Sequence, residues 1–159
     1  MARHTAPDFD TIVRECTPGL SAYARSICAD RWTAEDAVQE TFIRAWRYLP
    51  TFRGDSPVMG WLVTICRRVV IDMARRNPVR EELPENVIDA TDHFAPAHLM
   101  DMIRELPLPQ REVVVMIGLL GMDYAATADA LDVPVGTVRS RLSRARETLG
   151  ARLDSALAV

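Results

Sequence analysis

The chain contains no lysine: every basic residue is an arginine, and a slight excess of acids leaves a net charge of −3 over 159 residues. A total so close to zero says nothing about partners, so the distribution of charge must carry that argument. The three cysteines, Cys16, Cys28 and Cys66, show no CxxC or Cys/His spacing. That leaves no metal site to expect and points to a reduced, intracellular protein using cysteine as a small apolar residue. No apolar run approaches the ~20 residues that cross a bilayer, and polar residues stand where the core of a signal peptide would lie. There is no phosphate-cradling glycine loop. His4, His93 and His98 lie in the tail and around a connector, and no His, Asp and Ser set converges. Nothing alternates with the period of a strand and nothing repeats. These absences exclude a membrane span, leave an enzyme no machinery, call for no cofactor, and point to an all-α chain.

What is present is segregated charge. Arg67 to Arg80 holds five arginines and one acid, Glu81 to Glu105 seven acids and one arginine, and Val135 to Arg152 five arginines and one acid. Two basic helices flanking an acidic connector suit a protein that touches nucleic acid at two separated places. From Asn77 to about Pro96 the acids are interleaved with Pro78 and Pro84, and no helical pattern holds. So long a structureless stretch divides a chain. The expectation is two small helical domains, 1–76 and 97–159, each with a modest core, joined by a flexible acidic linker over 77–96.

The most informative stretch runs from Asp123 to Leu149. Asp123 is placed to cap a short helix ending near Leu131. Asp132, Val133 and Pro134 form the break. A second helix then sets Val135, Val138, Leu142, Ala145 and Leu149 at steps of three and four, an apolar stripe. Its other faces carry Arg139, Arg141, Arg144 and Arg146, with Thr137, Ser140 and Ser143 among them. Taken alone, that helix reads as a core element with a solvated basic face. With the helix and turn before it, the stretch has the form of a helix-turn-helix DNA reader. A helix fits the major groove, and arginine bonds a guanine edge or a phosphate through two donors at once.

Upstream, the pattern predicts a short helix from Asp8 to Cys16 and a second opened by Pro18 and running to about Cys28. A third follows from Ala34 to Tyr48, capped by Thr33 with Asp36 three residues on. In it Val38, Phe42, Ala45 and Leu49 face inward. Asp36, Gln39, Glu40, Ile43 and Arg47 form a second stripe that composition alone reads as a solvated face. Pro50 stops the helix. Thr51 to Gly60 is a loop holding Arg53, and Ser56 with Pro57 opens a helix to about Arg76. Its inward stripe is Trp61, Leu62, Ile65, Val69 and Met73, with Thr64, Arg67, Arg68, Ile71 and Arg75 outside it. Trp61 reads either as core or as a platform for a stacked base. Ala97 to Leu106 and Pro109 to Leu120 are further helices, the latter ended by Gly121.

Three segments, AEDAVQETFIRAWR (34–47), FRGDSPVMGWLVTICRRVVIDMARR (52–76) and LPLPQREVVVMIGLLGMDYAATADALDVPVGTVRSRLSRARETL (106–149), resemble the extracytoplasmic-function sigma factors, group four of the sigma family. These are the smallest sigma factors, built from the regions called two and four. The resemblance covers nearly the whole chain and implies a non-enzymatic partner of core RNA polymerase. It turns Asp36, Gln39, Glu40 and Ile43 into a docking stripe for the clamp of the beta-prime subunit, with the second domain on the flap of the beta subunit. It assigns Arg53, Trp61, Arg67, Arg68 and Arg75 to the minus-ten element of promoter DNA, where a base is turned out into the protein. It assigns Thr137, Arg139, Ser140, Ser143 and Arg144 to the minus-thirty-five element. The linker would thread toward the active site and the RNA exit path. A cytoplasmic location, an anti-sigma factor that holds the chain inactive and can tether it at a membrane, and no small-molecule substrate, cofactor or metal complete the implication. Arg68 stands where the family often has Asn, and Asp132 where it often has Gly. A free-standing repressor would use the same helix-turn-helix, as a dimer on a palindrome, but would have no use for the 34–47 stripe.

Overall fold

The computed structural model describes residues 8–76 and 97–158, and within them the chain forms seven α-helices and no strand. The tail at 1–7 and the acidic connector at 77–96 lie outside the described residues. Three helices make a first unit: α1 (Phe9–Ile27), α2 (Arg31–Tyr48) and α3 (Val58–Arg76). Four make a second: α4 (Ala97–Arg104), α5 (Leu108–Val113), α6 (Tyr124–Leu131) and α7 (Val135–Leu157). A 3-10 turn at Leu49–Thr51 closes α2 beside Pro50, and a π-helical turn at Val114–Leu119 follows α5.

Several boundaries depart from the sequence pattern. The two helices expected on either side of Pro18 are one, α1, with Pro18 inside it. A proline there removes the bond to the carbonyl four residues back. Both Pro18 and Arg14 are exposed, so water can take the freed carbonyl, while buried Ile12, Leu20, Ala22, Tyr23 and Ala24 hold the two halves in line. The cap of α2 is Asp30 rather than Thr33: the Asp30 carboxylate accepts from the Thr33 backbone N–H at 2.8 Å and its hydroxyl at 2.7 Å. The helix expected from Pro109 to Leu120 changes register after Val113. Val113, Val114, Val115 and Met116 are all buried, and three successive β-branched residues crowd an α-helical turn. The wider turn lets four consecutive side chains face inward. It ends at Gly121, whose φ of +67° suits glycine. Finally, α7 continues past Leu149 to Leu157. Arg152 on that extension donates to Glu105 at 2.6 Å and to the Met102 carbonyl at 3.4 Å.

The two units do not keep separate cores. One apolar cluster runs from Ile12, Leu20 and Tyr23 through Leu62, Val63 and Val69 to Ile103, Val113, Met116, Val138 and Leu142. α1 packs on α4, α5 and the π-helical turn, and α3 packs on α6. Gly19 marks the tightest point. A Cβ there would sit 2.8 Å from the Met59 Cε and 3.0 Å from the Leu120 Cδ2, so the missing side chain lets both units close on α1. Two buried hydroxyls inside the helices are satisfied locally. The Thr41 hydroxyl donates to the Ala37 carbonyl at 2.6 Å and the Ser26 hydroxyl to that of Tyr23 at 2.6 Å.

Candidate nucleic-acid and partner interfaces

The helix-turn-helix forms as its residues dictate. The Asp123 carboxylate accepts from the Ala126 N–H at 2.7 Å and caps α6. Asp132 ends that helix in the left-handed region, φ 54°, a conformation that short polar side chains tolerate better than others. Pro134 precedes α7 and its carbonyl accepts the first helical bonds, from Thr137 and Val138. Val138, Leu142 and Ala145 are buried. Leu149 is half-buried and Val135 is exposed, so the stripe is shorter at its N-terminal end than expected. Turned to the other side are Arg139, Ser140, Ser143 and Arg144, all exposed, with Thr137 half-buried at their edge. The Arg139 guanidinium lies over the Tyr124 ring at 5.7 Å from its centroid. The result is an exposed helix face with two long cations and two small hydroxyls, the chemistry of a groove reader.

On α2 the outward side chains fall into line. Asp36, Gln39, Ile43 and Arg47 are exposed. Glu40 is half-buried and partly committed: it accepts from Arg44 at 2.9 Å, and Arg44 also reaches Asp72 of α3 at 2.9 Å. Arg44 beside Asp72 holds that carboxyl below its ordinary value. The sequence reading missed Trp32 and Trp46, which are 73% and 62% exposed. With Asp36, Gln39 and Ile43 they complete a seam at steps of four, three, four and three. The signal was legible, since Trp32 lies four residues before Asp36 and Trp46 three after Ile43. Buried Ala34, Ala37, Val38 and Ala45 occupy the opposite side, so this row faces solvent as a ridge suited to a helical partner.

The residues expected at the melted strand divide into two groups. Trp61, Arg68 and Arg75 recur every seven residues along α3 and share a side with Thr64 and Ile71. Arg68 and Arg75 are exposed, as is Arg53 on the preceding loop. Trp61 is half-buried, its ring 4.7 Å from that of Phe52, so it is neither a full core residue nor a fully exposed ring. Arg67 departs from the rest. Its Nε donates to the Glu112 Oε1 of α5 at 3.0 Å, and the same oxygen accepts from the Tyr23 hydroxyl at 3.0 Å. Glu112 is 5% exposed. Burial, then the Glu112 charge, push the Tyr23 hydroxyl well above its ordinary value, so it stays a donor. In this arrangement Arg67 faces the second unit rather than solvent.

Among the described residues no group of three or more His, Cys, Asp or Glu is placed to hold a metal, and no helix is long and apolar enough to cross a membrane.

Residues 12–78 match the family described as Sigma-70 region 2, and residues 98–149 match Sigma-70, region 4. The chain is 38% identical over 149 residues to the ECF RNA polymerase sigma factor SigC of Mycobacterium tuberculosis, covering 82% of this chain and 80% of that protein. It is 34% identical to SigM of the same species, covering 96% and 82%. Among solved structures it resembles the sigma factor RpoE in its co-crystal with the anti-sigma factor NepR from Bartonella quintana. There the TM-score is 0.79 at 29% identity, over 94% of this chain and 98% of that one. It also resembles CnrH in complex with the cytosolic domain of CnrY, with a TM-score of 0.67 at 28% identity over 92% and 88%.

Proposed function

The chain belongs to the extracytoplasmic-function RNA polymerase sigma factors, and from that premise we propose how its residues divide the work. It is a promoter-specificity subunit that binds core RNA polymerase, directs initiation at its own promoters and is controlled by an anti-sigma factor. Residues 1–76 act as region two, 97–159 as region four and 77–96 as the connector. The seam Asp36, Gln39 and Ile43, with Glu40 at its edge, docks on the clamp of the beta-prime subunit, while the second unit meets the flap of the beta subunit. Arg53, Trp61, Arg68 and Arg75 receive the minus-ten strand, joined by Arg67 once it is released. Thr137, Arg139, Ser140, Ser143 and Arg144 read the minus-thirty-five element. The protein works in the cytoplasm and performs no chemistry of its own; the bond-making belongs to the polymerase.

The observation that supports this division best is the presence of two exposed surfaces on separate helices. One helix offers an exposed apolar and acidic ridge, its Trp46 end packed edge-to-face on Phe9, and another, in the second unit, offers an arginine and hydroxyl face. A lone DNA reader needs only the latter. An anti-sigma factor that grips this closed arrangement would cover both units at once, in keeping with the high similarity over nearly the full chain to a sigma factor in such a complex. The test is transcription from promoters recovered after overexpression, using core polymerase plus purified chain. Initiation that depends on the chain is expected, and alanine at Asp36, Gln39 and Glu40 together should abolish it. No initiation at any recovered promoter refutes the reading.

A further inference from the structure

Asp72 is an acid set among arginines. On α3 it stands four residues after Arg68, three before Arg75 and four before Arg76, the spacings at which side chains meet on a helix. At 3.6 residues per turn it lies within about 40° of Arg68 around the axis. Arg68, Arg75 and Arg76 are exposed, and none of them makes an ion pair among the described residues. Asp72 takes its cation from another helix. The Arg44 Nη1 of α2 donates to its Oδ2 at 2.9 Å. The Arg44 Nε donates to the Glu40 Oε1, also at 2.9 Å, so one guanidinium serves an acid on each helix through separate nitrogens. A lysine ammonium offers no such planar fork. The Arg44 side chain is 22% exposed and that of Asp72 39%, so the cation approaches from the packed side of the pair.

We infer that Arg44 is a positioning residue for the minus-ten strand: by holding Asp72 from the side of α2, it leaves the guanidiniums of Arg68, Arg75 and Arg76 to the phosphates. The inference rests on the assignment of α3 to that strand and adds a residue from outside α3 to it.

The electrostatics supply the reason. A carboxylate one turn away from an arginine on the same helix pairs with it. It also repels any phosphate that the arginine attracts, and strand affinity depends on how many phosphates are neutralised. Asp72 is within reach of the arginine cluster: its carboxyl is held below its ordinary value first by the Arg44 hydrogen bond, and in lesser measure by Arg76 and Arg75. With Arg44 bonded to it, the acid is offset from behind and the three arginines keep their donors. Without Arg44, the acid has only those arginines to turn to.

The experiment uses the full chain on saturating core RNA polymerase. The probe is a fluorescent single-stranded non-template oligonucleotide from a promoter recovered after overexpression, titrated at several salt concentrations. Arg44→Gln should weaken binding roughly twofold to fivefold, the worth of one exposed ion pair. It should also make the dependence of log Kd on log salt shallower by about 0.7, one phosphate contact on a single strand. Adding Asp72→Asn to Arg44→Gln should restore both quantities. Adding Asp10→Asn, which removes an exposed acid on α1, should restore neither. Asp72→Asn alone should bind at least as tightly as the wild type. A role confined to joining α2 and α3 predicts the opposite, because the double variant and Asp72→Asn both lack the bridge.

Unchanged binding by Arg44→Gln overturns the inference, as does equal rescue by Asp10→Asn, which would make the effect one of total charge. Should Arg44→Gln lose its helical circular dichroism, Asp72→Asn alone decides, and weaker binding than the wild type overturns the inference. A wild type that binds the strand no better than core polymerase alone means that the assignment of α3 has failed, and the role of Arg44 with it. Wild-type binding with an unmoved Arg44→Gln leaves that assignment standing and removes only the positioning role.

Discussion

Arg139 and Tyr124 belong to different helices of the helix-turn-helix, and the guanidinium of one lies over the ring of the other, 5.7 Å from its centroid. The pair ties the first turn of α6 to the second turn of α7. It also restricts a long side chain that otherwise has many rotamers to one region above the protein surface. A cation over an exposed ring is worth about 0.5–1 kcal/mol, enough to bias where the arginine reaches.

Tyr124→Ala should weaken binding to the cognate minus-thirty-five duplex about twofold to fivefold, the range that a contact of about 0.5–1 kcal/mol supplies. Tyr124→Phe, which keeps the ring, should restore most of the loss. Arg139→Ala should cost about 1–3 kcal/mol and relax selectivity at one base position. Equilibrium titration against a set of single-base variants measures both effects.

The ridge on α2 makes a second prediction. Trp32 and Trp46 flank Asp36, Gln39 and Ile43 and are more exposed than either element's role in the core would require. Ile43→Asp should weaken assembly with core polymerase by at least tenfold if the ridge is a well-packed centre. Trp32→Ala should have a smaller effect in the same direction, with no change in thermal stability. Native gel assembly beside a melting curve distinguishes these outcomes from misfolding.

Asp123→Ala removes the cap of α6 and should destabilise the second unit by about 1 kcal/mol. Asp132→Val places a branched side chain at φ 54° and should cost about 1–2 kcal/mol. Asp132→Gly should be close to neutral, because relief of strain is offset by a more flexible unfolded chain. Denaturant titration of the three variants checks the order.

Acid should loosen the link between α2 and α3. Asp72 is held below its ordinary 3.8 by Arg44, first through their hydrogen bond. A carboxyl whose folded value is depressed adds stability above its unfolded value and loses it as pH falls through the folded one. The contribution should therefore be complete at neutral pH and fade below about pH 4. Asp72→Asn should flatten that part of the stability curve, measured by melting temperature from pH 7 to pH 3.

The thiols should be quiet. Burial pushes Cys28 up to about 12 and Cys66 up to about 11. At pH 8 that leaves Cys66 with roughly one thousandth of its molecules as thiolate, the reactive form. Alkylation by iodoacetamide in the folded chain should be slow at both, and should become fast at both in denaturant. Mass spectrometry of timed samples reads this directly.

Much of the candidate surface was legible because it depends on short-range periodicity. Asp123 caps, Pro134 precedes α7, and Val138, Leu142 and Ala145 sit inward because steps of three and four put them on one side of any helix. The same arithmetic contains Trp32 and Trp46, four residues before Asp36 and three after Ile43. Pro18 misled because a proline ordinarily ends a helix, while here buried residues on both sides carry α1 through it. Asp30 caps α2 in place of the expected Thr33 because the chain enters the helix three residues earlier, which puts the Thr33 N–H and hydroxyl on the Asp30 carboxylate.

Residue order alone determined the all-helical class, the capping and apolar spacing of the helix-turn-helix, and the separation of basic helices by an acidic stretch. Each of these is a local property, set by interactions within one or two turns. Only the tertiary structure decided that α1 and α3 lie against α5 and α6, that the two units share one core, and that Arg67 is bonded to Glu112 while Arg68 beside it is exposed. Adjacent arginines on a helix are equivalent until something packs against one of them. What packs there comes from 45 residues further along the chain, a distance over which no periodicity in sequence carries information.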